Sequence, residues 1–420
     1  MTELVVVGVI FVASFAVIST EKVHRTIVAL AGAVVMIALR IITQDEAFAL
    51  VDYNVIFLLA GMMVIAHITG TTGVFQWMAL RSMKLARADP FLVLVAFSSV
   101  TALASALLDN VTTVVLIVPM TLYIASMLRI SPVPFLIAEA LSANIGGTAT
   151  LIGDPPNIII GSAAGLGFVD FLVNLAPATV IVFVAFLITA RFLLVRDLEV
   201  SPAIRAAVLK IEDASLITNP ALLRRCLVVL GLTMVGFLLH SVIGYQTATI
   251  ALAGAVLLLV WSNYDLHEAL RAIEWTTLFF FMGLFIIVGA VEKVGLIEQM
   301  AQAILRITQG DVAFTTLAVL WLSALASGVV DNIPYTAAMV PLVQGLGRSM
   351  DVGPVWWALA LGACLGGNAT LIGAAANVIL ANLAERSGHK IEFVTFSKYG
   401  IVVTVESMVI CSLYIWLRYL

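Results

Sequence analysis

The chain has 420 residues, 62% of them hydrophobic and 11% charged, with a mean hydropathy of +1.13 and a formal net charge of −4. So apolar a mixture excludes a soluble globular domain and describes an integral membrane protein in a lipid bilayer; with no basic block, it offers nothing to nucleic acid. The cysteines Cys226, Cys364 and Cys411 lie far apart and form no CxxC pair, so they read as small apolar packing residues, and no metal site is expected.

In chain order, apolar stretches fall at about 4–20, 26–43 and 53–70. The first, from Leu4 to Ser19, reads as a membrane helix rather than a cleaved signal, because no small-residue cleavage site follows it. The segment at about 91–126 is split by LLDNVTT at 107–113, and is either two crossings or one re-entrant hairpin. The stretch at about 133–164 carries GGTATLIGDPPNIII at 146–160, and another span follows at about 171–195. A polar stretch from Arg196 to Asn219, with Pro202, Glu212, Asp213 and Pro220 close behind, reads as a cytoplasmic linker over about 196–221. Spans then recur at about 222–240, 246–262 and 275–292. A second split segment at about 312–348 carries VVDNIPYT at 329–336, and about 355–382 carries GGNATLIGAAANVIL at 366–380. A last span runs over about 399–418. The expectation is an all-α protein of about ten transmembrane helices plus two hairpins, and the hairpins leave the parity of the topology unchanged.

The halves, 1–195 and 222–420, repeat. Placing Asp109 over Asp331 also aligns Asn110 with Asn332, Pro119 with Pro341, Gly61 with Gly283, Gly73 with Gly295 and Glu46 with Glu268; a slip of two residues then brings GGTATLIG over GGNATLIG. With the amino terminus outside, Lys22, Arg25, Arg81, Lys84, Arg87, Arg129, Arg196, Arg205, Lys210, Arg224 and Arg225 fall on the cytoplasmic side, against Arg40. The second half is less one-sided: Lys293, Arg306 and Arg348 face outward, whereas Arg271, Arg386, Lys390 and Lys398 face inward. An odd number of crossings per half inverts the second repeat relative to the first, the plan of secondary transporters whose sites form at the midplane from broken helices.

Backbone without helical hydrogen bonds cannot face lipid, so each glycine-rich break marks an interior site. Gly146, Gly147 and Gly153, and again Gly366, Gly367 and Gly373, let the chain turn and present N–H and C=O groups to a small solute, or simply let helices pack closely. Thr148, Thr150, Asn157, Asn368, Thr370 and Asn377 add uncharged donors and acceptors. Pro155 and Pro156 enforce the first break, where the second has Ala375 and Ala376. Asp109 and Asp331 sit where a hairpin turns and a new helix starts, so helix capping and a transport role are both open and compatible.

The first half alone carries Glu139, near Leu359 in the alignment, and Asp154, opposite Ala374; Glu406 lies within the last span and His67 within the third. Asp154, inside the break, is the favoured proton-coupling carboxylate, with Glu139 and Glu406 as further candidates and a loop aspartate bonded to nearby N–H groups as its bland reading. His67 reads as a satisfied interior histidine. Neither break and neither Asp-Asn turn contains Lys or Arg, so the site suits a neutral solute or a cation better than a multiply charged anion. With no GxxxxGK[ST] motif, energy comes from an ion gradient or a separate ATPase subunit. There is no HExxH, GxSxG or Cys-His cluster, and no enzyme or cofactor is expected.

DNIPYTAAMVP at 331–341 and LGACLGGNATLIGAAANVI at 361–379 resemble the ion transporter superfamily, in the branch that holds ArsB-type arsenite efflux pumps, the melanosomal P protein and related sodium/proton antiporters. The likeness spans essentially the whole chain. It implies an inverted repeat whose halves each supply a re-entrant hairpin and a broken helix, with a hairpin-tip role for Asp109, Asn110, Asp331 and Asn332. The broken-helix role passes to Asn144, Thr148, Thr150, Asn368, Thr370 and Asn377. Carboxylate-transporting relatives place Ser-Asn-Thr at the tips, and the Asp-Asn here departs from that. The reading is therefore an exporter of arsenite, and by resemblance antimonite, in exchange for protons in a bacterial inner membrane. A sodium/proton antiporter that takes Na+ through carboxylates and carbonyls, and an anion channel of the P protein type, are the alternatives. The family expectation is a homodimer.

Overall fold

The computed structural model describes residues 2–20, 22–195, 198–208 and 216–420. The expected linker lies partly outside these, as do Arg196, Lys210, Glu212 and Asp213. Among the described residues there is no strand. The first half builds α1 (Thr2–Ser19), α2 (Arg25–Ala38), α3 (Gln44–Ala49), α4 (Tyr53–Thr71), α5 (Val74–Leu85), α6 (Pro90–Leu107), α7 (Asn110–Leu128), α8 (Val133–Thr148), α9 (Pro155–Ala164), α10 (Phe168–Asn174) and α11 (Ala176–Leu193). After α12 (Pro202–Val208) the second half builds α13 (Pro220–Ile243), α14 (Thr247–Ser262), α15 (Leu266–Arg271), α16 (Trp275–Lys293), α17 (Leu296–Thr308), α18 (Val312–Val330), α19 (Asn332–Leu346), α20 (Gly353–Gly366), α21 (Ala375–Arg386) and α22 (Phe393–Tyr419).

Eight of these helices are long and apolar enough to cross a membrane, and α1, α2, α14 and α20 are shorter apolar helices. The order repeats element by element in two inverted halves. Only α10 interrupts the match, folding back from α9 by 115° where the second half passes directly from α21 to α22. In each half, two consecutive helices form a hairpin, α6 with α7 and α18 with α19, and the next helix breaks between α8 and α9 or between α20 and α21.

Lipid is as apolar as leucine, so it does not drive these helices together; close approach of small residues does. The alignment that sets Asp109 over Asp331 sets Gly61 over Gly283 and Ala29 over Ala251, and the packing follows the same exchange. Helix α4 packs on α14 and α16 on α2. A Cβ on Gly61 would lie 2.8 Å from the Ala251 carbonyl carbon, and one on Gly283 would lie 2.7 Å from that of Ala29. Each repeat therefore lends a glycine groove to the other's small-residue helix. Large apolar side chains such as Val260 and Leu417 lie on the outside, whereas Asn144, Asn157, Asn368 and Asn377 are fully buried. At the far end of α16, Lys293 grips Glu46 at 2.7 and 2.8 Å and, with the Thr43 backbone, holds that carboxyl down at about 2.

Replacing Gly283 by Val is expected to push α2 off α16 and destabilise the protein by about 1–3 kcal/mol, the usual penalty of overpacking. Gly231→Ala, whose Cβ meets nothing within 4 Å, is expected to leave the melting temperature of the purified protein unchanged or slightly raised.

Candidate functional site

Both hairpin tips and both helix breaks meet at the centre of the molecule. The sequence folds this way because each turn carries its own cap. Asp109 accepts from the Thr112 backbone N–H at 2.8 Å and from its hydroxyl at 2.5 Å, and Asp331 accepts from the Ile333 N–H at 2.9 Å. The capping reading holds for both acids. The tips still differ: Asp109 is extended, whereas Asp331 has φ +85°, a conformation that costs a non-glycine residue about 1–3 kcal/mol. It is held there by Arg25, whose Nη1 donates to Asp331 Oδ2 at 2.8 Å, and by the Asn332 N–H, which donates to the Gly373 carbonyl at 3.1 Å.

The breaks are closed by asparagines. Asn157 Nδ2 donates to the carbonyls of Thr148 and Thr150 at 3.1 and 2.9 Å; Asn377 Nδ2 donates to those of Gly367 and Thr370 at 2.8 and 3.0 Å. Thr150 and Thr370 bond the carbonyls of Ala106 and Gly328, both at 2.6 Å, and so tie each break to the first leg of its own hairpin. Thr148 bonds back to the Asn144 carbonyl. None of the six break glycines has a positive φ. Their need is space: a Cβ on Gly146 would stand 2.1 Å from the Ala102 oxygen, and one on Gly366 would stand 2.6 Å from that of Ala324. Gly147 and Gly367 similarly press on the carbonyls of Gly153 and Gly373.

Across the two repeats the asparagines exchange partners. Asn144 Nδ2 donates to Asn377 Oδ1 at 3.0 Å and to Asn368 Oδ1 at 2.9 Å. Its counterpart in the alignment, Cys364, donates its thiol to Asn157 Oδ1 at 3.4 Å, the same contact in reverse. Cys364 is thus a buried donor inside the network rather than a plain packing residue.

Asp154 is at the crossing point. It is fully buried and occupies the N-cap of α9 without a capping bond from its side chain, so it is not the ordinary loop aspartate. Instead Asn110 of the first hairpin donates to its Oδ1 at 3.2 Å, and Asn332 of the second donates to Oδ1 and Oδ2 at 3.2 and 3.3 Å. Asn110 also donates to Asn144 Oδ1 at 3.1 Å. A small chamber of about 10 Å³, the room of a single water, is bounded by Asp109, Asn110, Asp154, Asn332, Arg25 and Glu274. Beyond Arg25 and Glu274 it meets a vestibule of about 520 Å³ that runs past Asp331 to Val23 and His24. The corresponding pocket on the other face, lined by Asn54, Ile158, Gln246 and Thr247, includes neither Asp109 nor Asp154 in its lining.

Two acids lie apart from this centre. Glu406 accepts from Thr189 at 2.9 Å between α22 and α11, and Glu139 accepts from Thr121 between α8 and α7. His67 meets the Tyr264 hydroxyl at 3.3 Å, as a satisfied interior histidine should. Sequence reasoning missed Arg25 and Glu274. The motifs contain no cation, yet folding brings Arg25 from 306 positions away onto the hairpin tip, with its guanidinium 5.2 Å from the centre of the Phe280 ring. In sequence Arg25 reads as one more cytoplasmic charge at a helix start, and no local pattern marks it otherwise.

Comparison with known proteins accords with this architecture. Residues 15–362 match the family model CitMHS, described as "Citrate transporter". An uncharacterized transporter of Mycobacterium tuberculosis is 44% identical over 418 residues, which cover 98% of this chain and 97% of the relative. The P protein of Homo sapiens is 32% identical over 500 residues, covering 99% of this chain and 60% of that protein. Among solved structures, the YdaH transporter of Alcanivorax borkumensis superposes with a TM-score of 0.61 at 14% identity, covering 93% of this chain and 96% of that one, a likeness of fold.

Removing Arg25 leaves Asp331 largely buried without its cation, and Arg25→Gln is expected to lower the stability of the purified protein by about 3 kcal/mol. Adding Asp331→Asn is expected to recover most of that loss in the same melting experiment; if the double variant melts with the single one, the ion pair is not what holds the tip.

Proposed function

Since the chain belongs to the citrate transporter family of membrane proteins, we propose that it is a secondary transporter exporting arsenite, and with it antimonite, in exchange for protons, with Asp154 as the proton carrier. The observation that carries the reading is the position of Asp154, buried between the two hairpin tips and held by one asparagine from each. As a carboxylate it accepts from both amides. Protonated on Oδ2, it gains a donor, loses the second Asn332 contact, and turns the remaining bonds from Asn110 and Asn332 to Oδ1 from charge-assisted into weaker neutral ones. Loading a proton therefore changes how the two hairpins are joined, which is the step that exchange requires.

The surroundings argue for the solute. Asp109, Asp154 and Glu274 line the chamber together with Asp331 at its mouth, against the single cation Arg25, which Asp331 already engages. A free carboxylate trianion of the kind named in the family description would meet like charges there. Arsenite near neutral pH is the uncharged As(OH)3, and its hydroxyls can donate to carboxylates and amide carbonyls and accept from amide N–H groups. The vestibule admits such a solute as far as Asp331, and the hairpins must shift before it reaches Asp154. Asp109, Asn110, Asn332 and Asn368 would then bind hydroxyls, while Asn157 and Asn377 hold the breaks open. Cys364 keeps its role as a hydrogen-bond donor.

Everted vesicles loaded through an inward-acid gradient test this. Radiolabelled arsenite is expected to accumulate, to leak out again on adding an uncoupler, and to show accumulation reduced at least tenfold in Asp154→Asn while arsenite counterflow continues. Absence of arsenite movement combined with dissipation of the pH gradient by Na+ replaces this reading with sodium/proton antiport. Current that follows an anion's own gradient replaces it with a channel.

A further inference from the structure

Asn110 turns its amide N–H groups to Asp154 and Asn144, but its carbonyl Oδ1 is buried with no partner. Besides Ser98 on α6, four more buried side chains of the same three helices share that condition: the hydroxyls of Thr101 on α6, Thr113 on α7 and Ser142 on α8, and Oε2 of Glu139 on α8. All five residues are at most 3% exposed. Each such orphan costs about 1–3 kcal/mol in a dry interior, so five together demand an occupant able to both donate and accept.

The packing places them in one seam. Helices α7 and α8 run antiparallel, and their register is fixed at two points, by Asn110 with Asn144 and by Thr121 with Glu139. Thr113 and Ser142 fall between these two pairs. The other repeat shows what the seam replaces. There Thr101, Thr113, Glu139 and Ser142 become Ser323, Tyr335, Leu359 and Gly362. The Tyr335 and Ser323 hydroxyls meet at 3.1 Å, and a Cβ on Gly362 would lie 2.7 Å from Ser323 Cβ. The second repeat fills this place with a phenol ring and leaves no room beside it. The first repeat puts a threonine and a serine there and ends the row on an acid.

We propose that Thr101, Thr113 and Ser142 line a hydrated proton relay between Asp154 and Glu139, confined to the first repeat and separate from the solute vestibule at Arg25. In each passage the Glu139 carboxyl gives up its proton to the adjacent water. The excess proton hops along waters and hydroxyls past Asn110, and the Asp154 carboxylate takes up one proton at the other end. One O–H bond breaks at Glu139 and one forms at Asp154, the negative charge passes from Asp154 to Glu139, and a proton from the aqueous phase must restore Glu139 before the next passage. The solute then enters by one route and the proton by another, so neither waits for the other to vacate the chamber. Glu139 is a positioning and relay residue in this scheme, without contact to solute. The relay rests on Asp154 as the proton carrier, and on nothing about the solute.

Infrared spectroscopy of the whole protein in liposomes tests it without any transported substrate. At a pH where the carboxyl stretching band that Asp154→Asn removes is present, a jump into D2O buffer shifts that band as the proton is replaced. Thr113→Val combined with Ser142→Ala is expected to slow the shift at least tenfold, about 1.4 kcal/mol in the barrier, and Glu139→Gln is expected to slow it as well. Thr113→Ser combined with Ser142→Thr keeps both hydroxyls and is expected to keep the parental rate, which separates the relay from simple damage to packing. An unchanged rate in the Val/Ala variant shows that the proton arrives through the vestibule and overturns the relay. A protein with no band sensitive to Asp154→Asn overturns Asp154 as carrier, and the relay with it.

Discussion

A helix interrupted at membrane depth strands carbonyl groups that neither water nor lipid can satisfy, and here two asparagines supply the missing hydrogens. Asn157 donates to three carbonyls of its break and Asn377 to two of its own, and in return each accepts from the opposite repeat, Asn157 from Cys364 and Asn377 from Asn144. The same side chains therefore stabilise the breaks locally and join the two repeats globally. Everything at the centre depends on this. With the break carbonyls occupied, the hairpin tips can approach close enough for Asn110 and Asn332 to reach Asp154, and the glycines provide the clearance.

On this symmetric frame the chemistry is one-sided. Asp154 faces Ala374 in the alignment, Arg25 faces Thr247, Glu139 faces Leu359 and Thr113 faces Tyr335. Duplication provides two interchangeable hairpin and break units, and so two related arrangements that an alternating-access cycle can visit. Divergence then places one carboxyl, not two, at the crossing point. Two acids there would repel each other across a few ångströms of low dielectric, and one would remain protonated throughout. A single acid can be loaded and emptied.

Much of the frame is legible in the sequence because membrane depth makes local features expensive. A glycine-rich interruption, a proline pair or an Asp-Asn turn inside an apolar run needs a reason, and the duplication shows each twice. That is enough to find Asp109, Asp331, Asn157, Asn377 and Asp154, and to expect hairpins and broken helices. What is not legible is pairing over distance. Nothing around Arg25 announces Asp331, and nothing around Cys364 announces Asn157, because those contacts arise from inverted packing between halves rather than from periodicity. Glu406 and Glu139 look alike in sequence, both acids inside spans. The fold separates them: Glu406 bonds Thr189 on α11, whereas Glu139 stands on the helix that carries Asn144 into the centre. The hydroxyl seam is quieter still, since serine and threonine are common in membrane helices, and only their lack of partners distinguishes these.

The charge balance of the centre also bears on the energetics of the proposed exchange. Arg25 and Asp331 form an ion pair, and Asp109 caps its own helix, so neither acid need change protonation as the hairpins move. Glu274 accepts from the Thr277 hydroxyl, and in the proposed exchange Asp154 is the group whose charge varies through the cycle. If the exported solute is neutral and one proton returns on Asp154, each turnover moves one net charge inward. A membrane potential of about 100 mV then contributes about 2.3 kcal/mol per cycle, which sustains a roughly fiftyfold gradient of the solute before any pH difference is added. A substrate anion sharing the centre with Asp109 and Glu274 would give up part of that drive to electrostatic repulsion. Under the proposed exchange a neutral hydroxide keeps it, so the acids that would repel an anion are the same ones that would let a single buried carboxyl drive export.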